Sequence, residues 1–435
     1  MKAISAFSVI IFIISLLFAQ ITQRTDTDLL MLSYSVCFAA FLILFFNDRK
    51  SSFKIYALIG TGILLRFILI FLEPNLSDDY LRFIWDGNLQ LNGFNPFAYT
   101  PEFIYENRYQ DWMEKIYPDL NSPGFFTVYP AVCQYTAFVA AAIFPGSLKA
   151  VFALKFIIWV SECLTIFTMF KLVKYLKLNT NNVLIYALNP LIILELSGNI
   201  HFDALAICFL MAAILLMLKK RYFLAGVILG LAIASKITPL ILIPYLLFSL
   251  KPKKILIGGA GCLATIILLH LPYVSDISSI QNSLFLYYDY FEFNASIYGI
   301  IKWLFSYMNL YDLFLELKIL LPIITIVLIL ILQFLTKRSD LRSIGLVICF
   351  SWLIFFLFST TIHPWYISMV VAAAVICNLK FPLIWSLLIF FTYMAYKFDP
   401  PYLPMAVIFT EYILLMIVIF IDIKRLKEPN VYLNS

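Results

Sequence analysis

The sequence predicts an all-α polytopic membrane protein. The expected architecture is a bundle of about 13 transmembrane helices, each needing about 20 apolar residues to cross the hydrocarbon core. Three observations predict it. Of 435 residues, 63% are hydrophobic and only 13% charged. Apolar runs recur along the whole length. Basic residues collect in the short stretches between them, as the positive-inside bias requires. The short alternating segments of a β-barrel are absent.

In chain order, the expected spans are 3–22, 28–46, 53–72, 127–144, 150–171, 181–197, 202–218, 222–235, 237–250, 254–271, 317–335, 342–359, 365–379, 381–397 and 402–422. The shorter ones read as half-helices or as parts of a neighbour. The run after Met1 and Lys2 lacks a following small-x-small cleavage site, so it reads as a helix and not a signal peptide. The basic loops are Arg49-Lys50, Lys219-Lys220-Arg221, Lys251 to Lys254, Lys337-Arg338 with Arg342, and Lys424-Arg425 with Lys427. Placing them all on the cytoplasmic side puts 78–129, 197–203, 235–238, 272–316 and 360–366 together on the other side. Lys171, Lys174 and Lys177 break the pattern, because two apolar runs separate them from the outer loop. Either one of those runs does not cross, or these lysines lie outside.

Two outer segments, 73–126 and 272–316, are too long for ordinary loops. The first mixes aromatic and charged residues and suits short helices lying in the interface. The second holds the aromatic stretch Tyr287 to Asn294, fit for the headgroup level or for stacking on sugar rings. The net charge of +6 resides in the loops and does not argue for nucleic acid. Seven cysteines lie within or against apolar runs without a CxxC pair, so they read as small core residues. No P-loop, GxGxxG, HExxH or GxSxG stands in a fitting context, and no cofactor is expected.

The adjacent acids Asp78 and Asp79 follow an apolar span, with Arg82, Trp85 and Asp86 close behind. Carboxylates at a water–lipid boundary cost free energy unless something uses them. One reading makes one of them the base that activates an acceptor hydroxyl; the other makes them N-caps of a helix starting near Tyr80. Arg66 lies inside an apolar span, where a charge is expensive. It suits a phosphate contact or a pair with Glu73. Arg82 lies three residues after Asp79, on the same helical face, and suits a phosphate or a simple ion pair. His201 and Asp203 follow the helix-breaking Asn189-Pro190 and suit a phosphate or sugar. Lys236 sits on the outer side against the charge bias, which a phosphate partner would explain. His363 and Tyr366, around Pro364-Trp365, suit a donor headgroup or an aromatic-belt turn. His201, His270 and His363 all fall at outer ends of spans, but no HxH or HxxxH spacing supports a metal, and none is expected. Lys155 and Glu162, seven apart on one face, read as polar packing.

Together these motifs resemble the GT-C superfamily of integral-membrane glycosyltransferases, and more closely the bacterial polyprenyl-phosphate-mannose-dependent mannosyltransferases. The matching pieces are Ser77 to Arg82 with Trp85-Asp86-Gly87, Gly93 to Phe97, Tyr129-Pro130, Asn189-Pro190 leading to His201-Phe202-Asp203-Ala204, Leu231-Ala232 leading to Lys236-Ile237-Thr238-Pro239, and His363 to Tyr366. The resemblance implies a GT-C-like bundle, a polyprenyl-phosphate-sugar donor, a glycan or lipid acceptor and inversion at the anomeric carbon. It also implies that Asp78 or Asp79 is the base. The family places its acidic loop after the first helix and here it follows the third. The expected organisation is therefore an added hairpin, 1–52, a GT-C-like module, 53–316, and C-terminal helices, 317–435. The expected location is a bacterial inner membrane with the site facing the periplasm. A lipid-linked sugar flippase or transporter is the rival, though no corresponding pair of broken helices marks two halves.

Overall fold

The computed structural model describes residues 2–47, 52–276, 291–337, 341 and 343–426. The expected aromatic residues 287–290 and the basic residues Arg49, Lys50, Arg338, Arg342 and Lys427 lie outside this set. Helices dominate, and among the described residues no strand forms beyond one isolated bridge. Among the described residues, the α-helices of eight or more residues are α1 Lys2–Ile21, α2 Thr27–Asn47, α3 Ser52–Ile68, α4 Asp79–Leu91, α5 Ala131–Ile143, α6 Ala150–Tyr175, α7 Asp203–Leu218 and α8 Tyr222–Ser235. They continue as α9 Pro252–His270, α10 Ile297–Tyr307, α11 Leu320–Thr336, α12 Ile344–Leu357, α13 Ser368–Cys377, α14 Phe381–Leu388 and α15 Met405–Leu426.

The chain is an all-α polytopic membrane protein. Among the described residues, four helices are long and apolar enough to cross a bilayer unaided, and two bent pairs add to them. Eight further apolar helices are only 10–17 residues long. Several expected spans are thus broken, and proline is the usual reason. Residues 237–250 divide into two turns around Pro239 and Pro244, and 365–379 starts with a tight turn at Pro364. Another break falls at Asn189-Pro190, where the span expected at 181–197 divides into Leu184–Ala187 and Pro190–Gly198. A separate bend of 115°, at 199–202, leads from Pro190–Gly198 into α7.

The break at Asn189-Pro190 is held open from α3. Proline has no N–H to give, and Leu191 N–H goes to the Asn189 side chain at 3.0 Å. The Ala187 carbonyl is left without its helical partner. Arg66 supplies one: Nη1 donates to Ala187 O at 2.6 Å and Nη2 to Tyr186 O at 3.2 Å. Nε pairs with Glu162 on α6 at 2.9 Å, and both side chains are fully buried. Gly62, one turn before Arg66, makes the approach possible, since a Cβ there would lie 2.3 Å from Ala187 O. Lys155 binds the Leu69 and Leu72 carbonyls at the other end of the same α3–α6 contact.

The lysine puzzle resolves through α5. The Tyr175 hydroxyl at the end of α6 donates to Leu218 O at the end of α7, beside Lys219-Lys220-Arg221. Lys254 sits over the Tyr222 ring. The clusters at 171–177, 219–221 and 251–254 therefore share one end of the bundle. Helix α5 does not reach that end. Just before it, Tyr129 meets Asp79; just after it, Gly146 N–H binds the Asn88 side chain of α4. Both partners belong to the 73–126 segment, so the run expected to cross at 127–144 lies against α4 instead. A Cβ at Gly87 would stand 2.2 Å from Ala137 O, which measures how closely the two pack.

The first hairpin packs into the bundle. Tyr34 on α2 donates to Ser386 O and stacks on Phe390 with centroids 3.6 Å apart. Gln20 donates to Glu73 O, and Asp28 pairs with Lys397.

Replacing Arg66 by Leu leaves Glu162 a buried carboxylate without its cation and the Ala187 carbonyl unmet. The expected loss is about 3–5 kcal/mol, read as a lower melting temperature in detergent. Lys at this position should rescue little, since it lacks the guanidinium fork. Wild-type melting of Arg66→Leu would show that the break is held by something else.

Candidate active site

At the end of the bundle opposite the basic loops, the interrupted segments converge. Helices α7 and α8 form a hairpin whose closed end is Lys219-Lys220-Arg221, so the start of α7 returns beside the end of α8. Asp203 opens α7 and Lys236 caps α8, each with the sign that its helix terminus favours. They meet as an ion pair of 2.6 Å, 7% and 25% exposed. Lys236 also lies over the Tyr366 ring, 4.5 Å from its centroid. Just before α7, Ile200 is buried with φ +61°, a left-handed conformation that costs a β-branched residue about 1–3 kcal/mol. Asn199 compensates in part. Its Oδ1 accepts from the backbone N–H groups of Asn75 and Leu76, which lead into Asp78.

The histidines join this cluster through one ring. Trp365 stacks on His201 at 3.9 Å and on His363 at 4.5 Å, and Phe293 covers the other face of His363 at 4.9 Å. Phe293 is held by backbone bonds to Thr360 and Ile362. Both histidines lie outside the spanning segments. Burial, with the Lys236 charge added, pushes His363 down to about 3 and His201 well below the usual imidazole range. Both rings are neutral. His201 Nε2 lies 3.3 Å from Glu195 Oε2, and the other carboxylate oxygen accepts from Tyr393 at 2.9 Å.

The two aspartates differ. Asp78 occupies the N-cap position of α4, yet its side chain makes no capping bond. It pairs instead with Arg24, on the loop between α1 and α2, at 2.6 Å. Asp79 is met by the neutral donors Asn121 and Tyr129. Burial raises its pKa above the usual aspartate value, with the Asp78 charge adding to the effect. Tyr129 packs edge-on against Phe202, the residue between His201 and Asp203. This contact joins the acidic loop to the α7–α8 cluster.

His201, Asp203, Lys236, His363 and Tyr366 therefore form one group, which Asp79 reaches through Tyr129 and Phe202. Arg82 pairs with Asp86 at 2.8 Å and not with Asp79, and donates to Phe125 O; its buried Nη2 has no protein partner. Arg66 stays in the core beneath. His270 bonds its own helix at Ile266 and is not part of the group. Among the described residues, no three His, Cys, Asp or Glu side chains converge as metal ligands.

Residues 11–251, more than half of the chain, match the family described as alpha-(1->6)-mannopyranosyltransferase, N-terminal domain. The chain belongs to this family. It is a membrane glycosyltransferase of the mannosyltransferase kind. No curated protein matches the chain. The match takes in both members of the Arg24–Asp78 pair and ends before His363, Trp365 and Tyr366. Sequence reasoning missed Arg24, although the argument applied to Lys236 would have found it: it is a cation in the turn between two apolar runs, at the end expected to face away from the basic loops. Asn121 carries no comparable signal.

A double-mutant cycle on Asp203→Asn and Lys236→Met should return a coupling of about 1–3 kcal/mol in thermal unfolding. Additive losses would mean that the pair does not link the two helix ends.

Proposed function

We propose that the protein is an inverting mannosyltransferase that moves mannose from polyprenyl-phosphate-mannose to an acceptor hydroxyl, on a glycan or lipid, at the extracytoplasmic face of the membrane. In a bacterial inner membrane this is the periplasmic face. Asp79 is the base. The observation that carries the reading is the asymmetry of the acid pair: Asp78 is neutralised by Arg24, while Asp79 is held by the neutral groups Asn121 and Tyr129, and Tyr129 packs against Phe202 beside the Asp203–Lys236 pair.

The acceptor hydroxyl gives its proton to Asp79 as its oxygen bonds to the anomeric carbon. The carbon–oxygen bond to phosphate breaks on the opposite face. Polyprenyl phosphate leaves with the bonding pair, its charge rising from one to two negative. A leaving group that is already an anion needs no general acid; it needs cations and donors aimed at the developing charge. Lys236 is the main cation, the spare Arg82 N–H is a second donor, and His201, His363 and Tyr366 shape the headgroup site. As written, the step uses no metal and no cofactor.

Radiolabelled polyprenyl-phosphate-mannose, with host membrane extract as acceptor, tests this. Asp79→Asn should lower transfer about a thousandfold, the scale of lost general-base catalysis, while the folded protein is retained. Asp78→Asn should keep a measurable rate. Full activity of Asp79→Asn would overturn the base assignment. Donor equilibration across proteoliposomes without transfer would favour a flippase.

A base acts only when deprotonated, so kcat/KM should fall as pH drops through the raised pKa of Asp79. The acid limb should lie above the ordinary aspartate range. A profile flat down to pH 4 would count against Asp79.

A further inference from the structure

The sole ion pair of the acid loop with another segment reaches, among the described residues, to the first hairpin. Arg24 Nη2 binds Asp78 Oδ2 at 2.6 Å, and its guanidinium stands 4.9 Å from the Tyr396 ring centroid. The pair is 30% and 38% exposed, so water reaches it. Its geometry is fixed from several sides. The loop carrying Arg24 is closed by backbone bonds from Thr22 to Phe18 O and from Asp26 to Gln23 O. Asn75 reaches the same loop, donating to the Gln20 and Thr22 carbonyls. Asp78 is covalently next to Asp79, and an unpaired charge there would oppose ionisation of its neighbour.

We propose that Arg24 is a positioning residue for the transfer reaction. It ties Asp78 into an ion pair, which leaves Asp79 as the single carboxylate able to take the acceptor's proton. The hairpin 2–47 then serves the chemistry as well as the fold. The proposal rests on the assignment of Asp79 as base. The charged and titratable groups acting on Asp79 are Asp78, Arg24, Tyr129 and Tyr396.

Removing either partner should move the acid limb in opposite directions. In Arg24→Ala, the bare Asp78 charge makes Asp79 harder to ionise, and the limb of kcat/KM moves to higher pH by about one unit. In Asp78→Asn, the freed guanidinium favours ionised Asp79 and the limb moves to lower pH. Arg24→Ala with Asp78→Asn should return the limb close to wild type. Arg24→Lys should keep most of the wild-type profile, since a point charge suffices.

The assay uses purified full-length protein, radiolabelled polyprenyl-phosphate-mannose and host membrane extract, with melting in detergent recorded for every variant. Opposed shifts that cancel in the double variant support the proposal, and a purely structural role would not produce them. A raised donor KM with an unmoved acid limb would make Arg24 a phosphate ligand and overturn it. So would an Arg24→Ala defect that Asp78→Asn fails to relieve. Asp79→Asn runs alongside: if it retains activity, the base assignment fails and takes this proposal with it. If it is inactive while the limbs fail to move, only the role of Arg24 falls.

Discussion

One exchange of hydrogen-bond partners underlies the rest of the structure. A helix broken inside a bilayer leaves backbone groups with no water to meet them, and such a break survives only where protein satisfies it. At Asn189-Pro190 the freed acceptor is the Ala187 carbonyl, and Arg66 fills the missing donor's place. Glu162 balances the charge that this brings into the core. Gly62 gives the room. With that break secured from behind, Pro190–Gly198 is held in place, and a second bend, of 115° at 199–202, starts α7 at the site. Arg66 thus serves the site by fixing the backbone that carries His201 and Asp203, and it touches neither.

From that turn the cluster follows by geometry. Antiparallel neighbours bring the start of one helix to the end of the next, so the α7–α8 hairpin sets an acid beside a cation at the dipole ends that suit them. Asn199 ties the same turn to the strand of chain entering Asp78. The aromatic ladder His201, Trp365, His363 and Phe293 then fastens two C-terminal segments onto it. Neutral imidazoles in such a stack can donate or accept without adding positive charge. Lys236 remains the principal cation of this group.

Much of this was legible in the sequence, because the bilayer makes polarity expensive and therefore informative. Lys236, His201, Asp203, His363 and Tyr366 each stood out as polar groups at the ends of apolar runs, and they do meet. Arg66 was equally conspicuous, but hydropathy cannot tell a charge that serves a ligand from one that serves a carbonyl. The separating fact is a proline more than a hundred residues away. The run at 127–144 looked like a span because apolar content does not reveal whether a helix faces lipid or another helix; α5 buries its small residues against α4 instead. Arg24 sits in a short polar turn between two helices, where a lone cation is commonplace and hydropathy marks nothing.

The family match and the site divide in an instructive way. Arg24, Asp78, Asp79, Arg82, Asp203 and Lys236 all fall within residues 11–251. The planes that cover them come from beyond: Trp365 and His363 over His201, Tyr366 under Lys236, Tyr393 against Glu195 and Tyr396 against Arg24. Charges alone in open water would be screened and individually weak. Packing them under aromatic faces strengthens each interaction and holds both histidines neutral. The charged chemistry therefore belongs to the matched region, and the C-terminal segments supply the low-dielectric walls within which it can act.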